Sequence, residues 1–195
     1  MVLVRNLIAL VSKRDRTAQR IYDRCVLAAR APEHYGEGAA PDSVDGRFAM
    51  LTLHLFLAVA RLRAIGREGE ALVQALIDCF VRDMDRNLRE MGAGDIGVAK
   101  NVKRMAHALN GQLLAYQAAL GEGPEAFRAS LLRNVLGRPE SEAAAHEAVL
   151  DRLTAYAVAQ IEHLATRPDA ELAAGRLELQ PVAAAYARPA EGAVP

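Results

Sequence analysis

Apolar residues in this chain return every third or fourth position over long stretches, and sustained alternation, the mark of a half-buried strand, is missing. The pattern predicts helices throughout. A first clear helix covers residues 16–31, with Ile21, Cys25 and Ala28 on one face, and stops before Pro32. Glycine and proline make residues 32–43 a loop. The second helix, 45–65, is apolar nearly all round over 48–60 and is expected to lie buried centrally among the others. The third, 68–91, turns Val73, Leu76, Phe80, Met84, Leu88 and Met91 toward the core and crowds Arg82, Asp83, Asp85, Arg86, Arg89 and Glu90 into its C-terminal half. Gly92-Ala93-Gly94 stops it, because glycine reaches the left-handed conformation that a helix C-cap requires. Asp95 is placed to cap a fourth helix over 96–120. That helix carries an apolar stripe of Val98, Val102, Met105, Leu109, Leu113, Tyr116 and Leu120, and on its other side Lys100, Lys103, Arg104 and His107. Helices over 124–136 and 140–166, each with a proline near its first turn, complete the set.

The expected fold is therefore all-α, a single-domain bundle of about six helices. A chain of 195 residues that is 52% apolar can bury one sizeable core and is too short for two ordinary domains. Three stretches are distinguished: an apolar N-terminal segment 1–15, the helical domain 16–167, and a short helix with a loosely ordered tail over 168–195. The last ~15 residues, rich in alanine, proline and glycine, are expected to be loosely attached. Val2, Leu3, Val4, Leu7, Ile8, Leu10 and Val11 either join the core or form a weak interfacial anchor. Ser12-Lys13-Arg14-Asp15 stands where a secretory signal would have its small-residue cleavage site, which argues against such a signal. The longest apolar run, 48–60, falls short of the ~20 residues a membrane span needs.

Charge narrows the function classes. The 24 Lys plus Arg balance 24 Asp plus Glu, so no long-range field gathers nucleic acid or an anionic bilayer, and general polyanion binding is not expected. Arginine supplies nearly all the positive charge, which together with heavy use of alanine and glycine fits a GC-rich bacterial genome. Cys25 and Cys79 sit within apolar helical patterns and read as small buried hydrophobes.

The sequence carries no familiar reactive constellation. A di-iron bundle needs paired Glu-x-x-His motifs, but the residues three before the histidines are Ala31, Leu51, Arg104, Ala143 and Gln160. His-Glu-x-x-His, Cys-x-x-Cys, the phosphate-binding Gly-x-x-x-x-Gly-Lys loop and Gly-x-Ser-x-Gly are all absent. Gly92-Ala93-Gly94-Asp95-Ile96-Gly97 matches the dinucleotide fingerprint only as a string, since a charged helix precedes it and no acidic residue lies between Asp95 and Glu122. His54, in the most apolar helix, reads as a core histidine with a local hydrogen-bond partner. Arg82 with Asp85, Asp85 with Arg89, and Arg86 with Glu90 stand at helical neighbour spacing. This cluster is either a self-neutralising solvated face or, with the Lys100 to His107 patch across the glycine turn, one recognition surface.

Read together, Asp45-Gly46-Arg47-Phe48, Leu53-His54, Asp83-Met84-Asp85 and the unbroken Leu88-Arg89-Glu90-Met91-Gly92-Ala93-Gly94-Asp95, with Val98 and Lys100, resemble the ubiquinol-cytochrome c chaperone family, assembly factors of the cytochrome bc1 complex. The resemblance runs in register from about Tyr22 to Asn134 and takes in Ala29-Arg30, Tyr35, Tyr116 and Arg133-Asn134. Cys79 and Asn110-Gly111-Gln112 depart from the commoner family pattern. The resemblance implies an all-α, non-catalytic chaperone, without cofactor or metal, that binds newly made cytochrome b and favours its delivery into the bc1 complex. In mitochondrial members it also implies a small helical co-chaperone and the ribosome as partners.

The leading expectation is accordingly an assembly chaperone for cytochrome b, with Asp85, Arg89, Glu90, Asp95, Lys100, Lys103 and Arg104 on the client or partner surface. Such a client calls for an apolar groove rimmed by charge. The protein is expected in the cytoplasm, with peripheral contact at the inner membrane left open and no direct contact with nucleic acid. The rival reading is a helical bundle that binds a small molecule or haem, with His54 or His107 ligating iron.

Overall fold

The computed structural model describes the backbone of residues 2–35, 40–92 and 94–186, and their side chains apart from those of residues 2–12 and Ile96. The chain runs through α1 (Val2–Ala29), α2 (Val44–Arg63), α3 (Arg67–Glu90), α4 (Asp95–Glu122), α5 (Pro124–Asn134) and α6 (Glu147–Thr166), then two short helices, α7 (Asp169–Ala173) and α8 (Val182–Tyr186). Single 3-10 segments, Pro32–His34 and Glu140–His146, link α1 to α2 and α5 to α6. Among the described residues there is no strand, in agreement with the missing alternation.

Three boundaries differ from the sequence pattern. The first helix begins at Val2 and not at residue 16, because the apolar N-terminal residues continue its backbone without a break. Residues 140–146 form a 3-10 segment ahead of α6. Residues 182–186, placed by the sequence in a loose tail, form α8, with Ala185 buried against α6. The rest of that expected tail, 187–195, lies outside the described residues, as do 36–39 of the first loop.

α2 packs against α1, α3, α4 and α6. It buries Met50, Leu53, Leu55, Phe56, Leu57, Val59 and Leu62, while Phe48, Leu51 and Ala60 keep partial exposure. Its start is set by Ser43, whose hydroxyl accepts from the Gly46 amide at 3.1 Å, satisfying one of the orphan donors of the first turn. Gly46 also lets the backbone fold onto the preceding loop: a Cβ there would lie 2.0 Å from the Pro41 carbonyl oxygen. Gly69 plays the same part at the start of α3, where a Cβ would meet the Leu62 carbonyl oxygen at 1.7 Å. Phe56, Tyr116 and Phe127 bring α2, α4 and α5 together, with ring centroids 5.1 to 6.3 Å apart in tilted and edge arrangements that suit aromatic quadrupoles. Arg61 holds the end of α6, donating to the Leu164 carbonyl at 2.8 Å and the Arg167 carbonyl at 2.6 Å and pairing with Asp169. It thereby satisfies carbonyls that a helix C-terminus leaves open.

Candidate functional site

The turn between α3 and α4 is clasped by one side chain. Gly92, at φ 82°, allows the reversal that a side-chain-bearing residue resists. Arg89 then reaches over the turn, donating to both carboxylate oxygens of Asp85 one helical turn back (2.7 and 3.3 Å) and to Asp95 at the first position of α4. These two carboxylates raise the Arg89 pKa above its ordinary value, the hydrogen bond that Arg89 donates to Asp85 contributing most. Asp95 does not cap α4 as the sequence suggested: Gly94 is the cap residue and the Asp95 carboxylate is turned to Arg89. The site residues expected from sequence are thus brought together in part. Asp85, Arg89 and Asp95 form one network, whereas Glu90, Lys100, Lys103 and Arg104 are exposed and enter no ion pair among the described residues.

The other two expected pairs within α3 are not made. Arg82 donates to the Cys79 sulfur at 3.1 Å, and Arg86 pairs with Asp83. Asp83 is the better acceptor because it is already fixed from a second helix, accepting the Tyr22 hydroxyl of α1 at 2.8 Å. Burial and the Asp83 carboxylate together push the Tyr22 phenol well above its ordinary range, so it stays a neutral donor.

Beside this network lies a groove of about 560 Å³ between the C-terminal end of α1, the start of α2, the end of α3 and α4. Val26 and Ala29 form one wall, Val44, Phe48 and Leu51 a second, and Met84, Met91 and Met105 a third. Three of the five methionines in the chain therefore line one cleft. The sequence placed Met91 in the core; it is 74% exposed, and Val44 opposite is 83% exposed. Charge surrounds this apolar lining. Asp83, Arg30 and Arg47 stand at its edges, and Arg47 lies 5.0 Å over the Tyr35 ring while bonding Asp42 at 2.7 Å. Tyr35 is itself pinned by donating to the Ala29 carbonyl at 2.6 Å.

A second polar group is fully enclosed. His54 Nδ1 lies 2.8 Å from the Met50 carbonyl, which can only accept, so Nδ1 carries the proton and Nε2 accepts from the Tyr156 hydroxyl at 2.6 Å. Next to it, His34 Nδ1 bonds the Tyr186 hydroxyl of α8 at 2.8 Å, and its ring meets His54 edge-on at 5.2 Å between centroids. Burial lowers both imidazoles, His34 to about 4 and His54 to about 3, with neighbouring His34 adding to the shift of His54. The sequence pointed to His54 as a core histidine with a local partner, which the Met50 carbonyl supplies, but gave no sign of Tyr156 and Tyr186, each more than 100 residues from the histidine it bonds. His54 has no free nitrogen for iron, and His107 sits exposed on α4. No group of three or more His, Cys, Asp or Glu side chains able to hold a metal occurs among the described residues. Burial pushes the Cys25 thiol up to about 12 and raises that of Cys79, the opposite of what a nucleophile needs.

Residues 37–179, most of the chain and all of the groove's α2, α3 and α4 walls, match the family model described as ubiquinol-cytochrome C chaperone. The chain belongs to that family. Among solved structures, the Cbp3 homologue from Brucella abortus is 35% identical, with a TM-score of 0.73, over 94% of this chain and 98% of that one. Curated relatives include the human ubiquinol-cytochrome c reductase complex assembly factor 1, 24% identical over 75% of this chain and 48% of that protein. The Xenopus laevis protein of the same name is 21% identical over 62% of this chain and 60% of its own length. The chain spans about half the length of the curated relatives it matches. Two segments of the family resemblance now have physical reasons. Gly46 in Asp45-Gly46-Arg47-Phe48 is the residue that clears the Pro41 carbonyl, and His54 in Leu53-His54 is the residue locked by Tyr156.

Proposed function

We propose that this chaperone-family chain holds newly made cytochrome b and releases it into the assembling cytochrome bc1 complex, with no chemical step of its own. The observation that carries the reading is the methionine-lined groove beside the Arg89 network. An apolar helix of the client would lie against Val26, Phe48 and the three methionines, and Asp85, Arg89, Glu90 and Asp95, with Lys100, Lys103 and Arg104 on α4, would engage its polar flanks beyond the groove. Magnitudes suit a transient hold. Covering about 400 Å² of apolar surface at about 25 cal/mol per Å² contributes on the order of 10 kcal/mol. Lost translational and rotational freedom offsets ~4–15 kcal/mol of that, so the groove alone gives modest affinity and permits release. The reading places the protein in the cytoplasm, at the membrane that receives its client; no described helix is long and apolar enough to cross that membrane. A small helical co-chaperone and the ribosome fit the same reading as further partners. The haem-binding alternative has lost His54, whose two nitrogens are both engaged.

The test is affinity capture from membranes and nascent chains of the native host, with wild type beside Met91→Glu and an Arg89→Ala, Asp95→Ala double variant, each verified as folded. Wild type should recover cytochrome b, and both variants should recover several-fold less. Recovery unchanged in both variants would move the client surface away from the groove, and absence of cytochrome b from the wild-type capture would overturn the reading.

A further inference from the structure

Zero net charge hides a local concentration of it. α1 carries Lys13, Arg16, Arg20 and Arg24 at steps of three, four and four residues, which on a 3.6-residue helix is one line along its exposed face. The line continues to Leu27, 62% exposed, and to Arg30 at the mouth of the groove. Lys13 to Leu27 is about 21 Å of helix at 1.5 Å per residue. Most arginines on the α2, α3 and α5 surfaces are paired with carboxylates, but Lys13, Arg16, Arg20 and Arg24 form no ion pair among the described residues. Asp23 borders the line and is bonded by Gln19. Arg20 and Arg24 spend one hydrogen bond each on the Ala174 and Leu177 carbonyls, which fixes the two guanidiniums against the C-terminal segment and keeps their charge. The same helix opens on Val2-Leu3-Val4, Leu7-Ile8 and Leu10-Val11.

From this we infer that the exposed face of α1 is a docking surface for anionic phospholipid headgroups, lying flat on a negatively charged bilayer. The apolar face of α1, Ala18, Ile21, Tyr22 and Cys25, is buried in the core, so what α1 offers outward is a line of unpaired cations ending in an exposed leucine, the pattern of a peripheral face held to anionic lipid by charge. Each basic residue near an anionic bilayer adds about 1 kcal/mol of attraction, and the field decays within a Debye length of about 8 Å, so a local line acts even when the whole chain is neutral. A nucleic-acid surface would interleave aromatic or amide side chains for stacking and base contact; no aromatic side chain lies on this line, and the amide beside it, Gln19, is held by Asp23. Docked this way, Arg30 brings the groove mouth to the headgroup layer, where an apolar helix leaves or enters the bilayer. Lipid binding stands apart from the client reading and is measured without cytochrome b.

The experiment is co-sedimentation of the full chain with vesicles of phosphatidylcholine alone and of phosphatidylcholine with phosphatidylglycerol. Binding should require the anionic lipid and weaken steeply with salt. Arg16→Gln, Arg20→Gln, Arg24→Gln should lower the partition coefficient on the order of a hundredfold, while Lys100→Gln, Lys103→Gln, Arg104→Gln, the same change in charge on α4, should leave it near wild type. Because Arg20 and Arg24 also hold the C-terminal segment, Lys13→Gln, Arg16→Gln, which touches no hydrogen bond, should give a tenfold or greater loss in a protein of unchanged stability. Equal losses in the α1 and α4 variants would reduce the effect to net charge and overturn the inference. So would indifference to anionic vesicles, with or without salt-sensitive binding to duplex RNA.

Discussion

His54 and Tyr156, 102 residues apart, meet in a 2.6 Å hydrogen bond inside the core and tie α2 to α6. With Nδ1 held by the Met50 carbonyl, the ring has one tautomer and one orientation. Removing the Tyr156 hydroxyl leaves Nε2 buried without a partner, a loss of about 1–3 kcal/mol. Tyr156→Phe should therefore lower the urea midpoint without changing its slope. A variant as stable as wild type would show that another donor reaches Nε2.

Acid should unfold the protein through the same box. Both histidines are neutral when folded, at about 4 and about 3, against an ordinary 6.5, so the unfolded chain binds protons that the folded one does not. Stability is fully present above pH 6.5 and falls as pH drops from there toward 4, by a total on the order of 5 kcal/mol. The window between pH 6.5 and 5 is diagnostic, because ordinary carboxylates remain ionised in it. Urea midpoints measured across that window should decline in wild type and stay nearly flat in a His34→Gln, His54→Gln variant that still folds.

Two glycine substitutions should act in opposite directions. Gly111, inside α4, has open space where a Cβ would go, and Gly111→Ala should stabilise by roughly 0.5–1 kcal/mol through helix propensity. Gly46→Ala gains the same propensity but drives a Cβ to 2.0 Å from the Pro41 carbonyl oxygen. Steric conflict with backbone outweighs propensity there, giving a net destabilisation of about 1–3 kcal/mol. Thermal melts of the two variants would falsify this contrast if they shifted in the same direction.

Replacing Met91 and Met105 together by leucine should leave stability within about 1.5 kcal/mol of wild type, because the volumes are close. Binding should change differently. Against a set of synthetic apolar helices with different side-chain shapes, the wild type should show a narrow spread of affinities and the leucine variant a wide one. Equal spreads in fluorescence titrations would mean that the thioethers are only filling space.

The helices were legible because their apolar periodicity is long and their stops carry proline or glycine, as at Pro32 and Gly92. What lay beyond that signal depended on distant partners. Periodicity assigned Arg86 to Glu90, but Tyr22 from α1 had already fixed Asp83 as the stronger acceptor. It assigned Met91 to the core, since a groove wall and a core wall repeat at the same interval and differ only in whether another helix covers them. The α8 contact is similar, as a five-residue helix has too little pattern to announce itself until His34 and Tyr156 receive Tyr186. Of the expected surface, the Asp85–Arg89 half of the clasp was readable because its i to i+4 spacing is local, whereas the Asp95 half was not, since the pattern gave Asp95 to the helix cap.

A wall of unbranched thioethers has no fixed shape of its own; it takes the outline of whatever presses on it. Recognition by contour is therefore weak at Met84, Met91 and Met105, and such a surface would accept many apolar helices. On the proposed reading, fidelity to one client would then come from address and timing, that is, from being stationed where that helix first appears. The methionines would make the hold forgiving, and geography would make it selective.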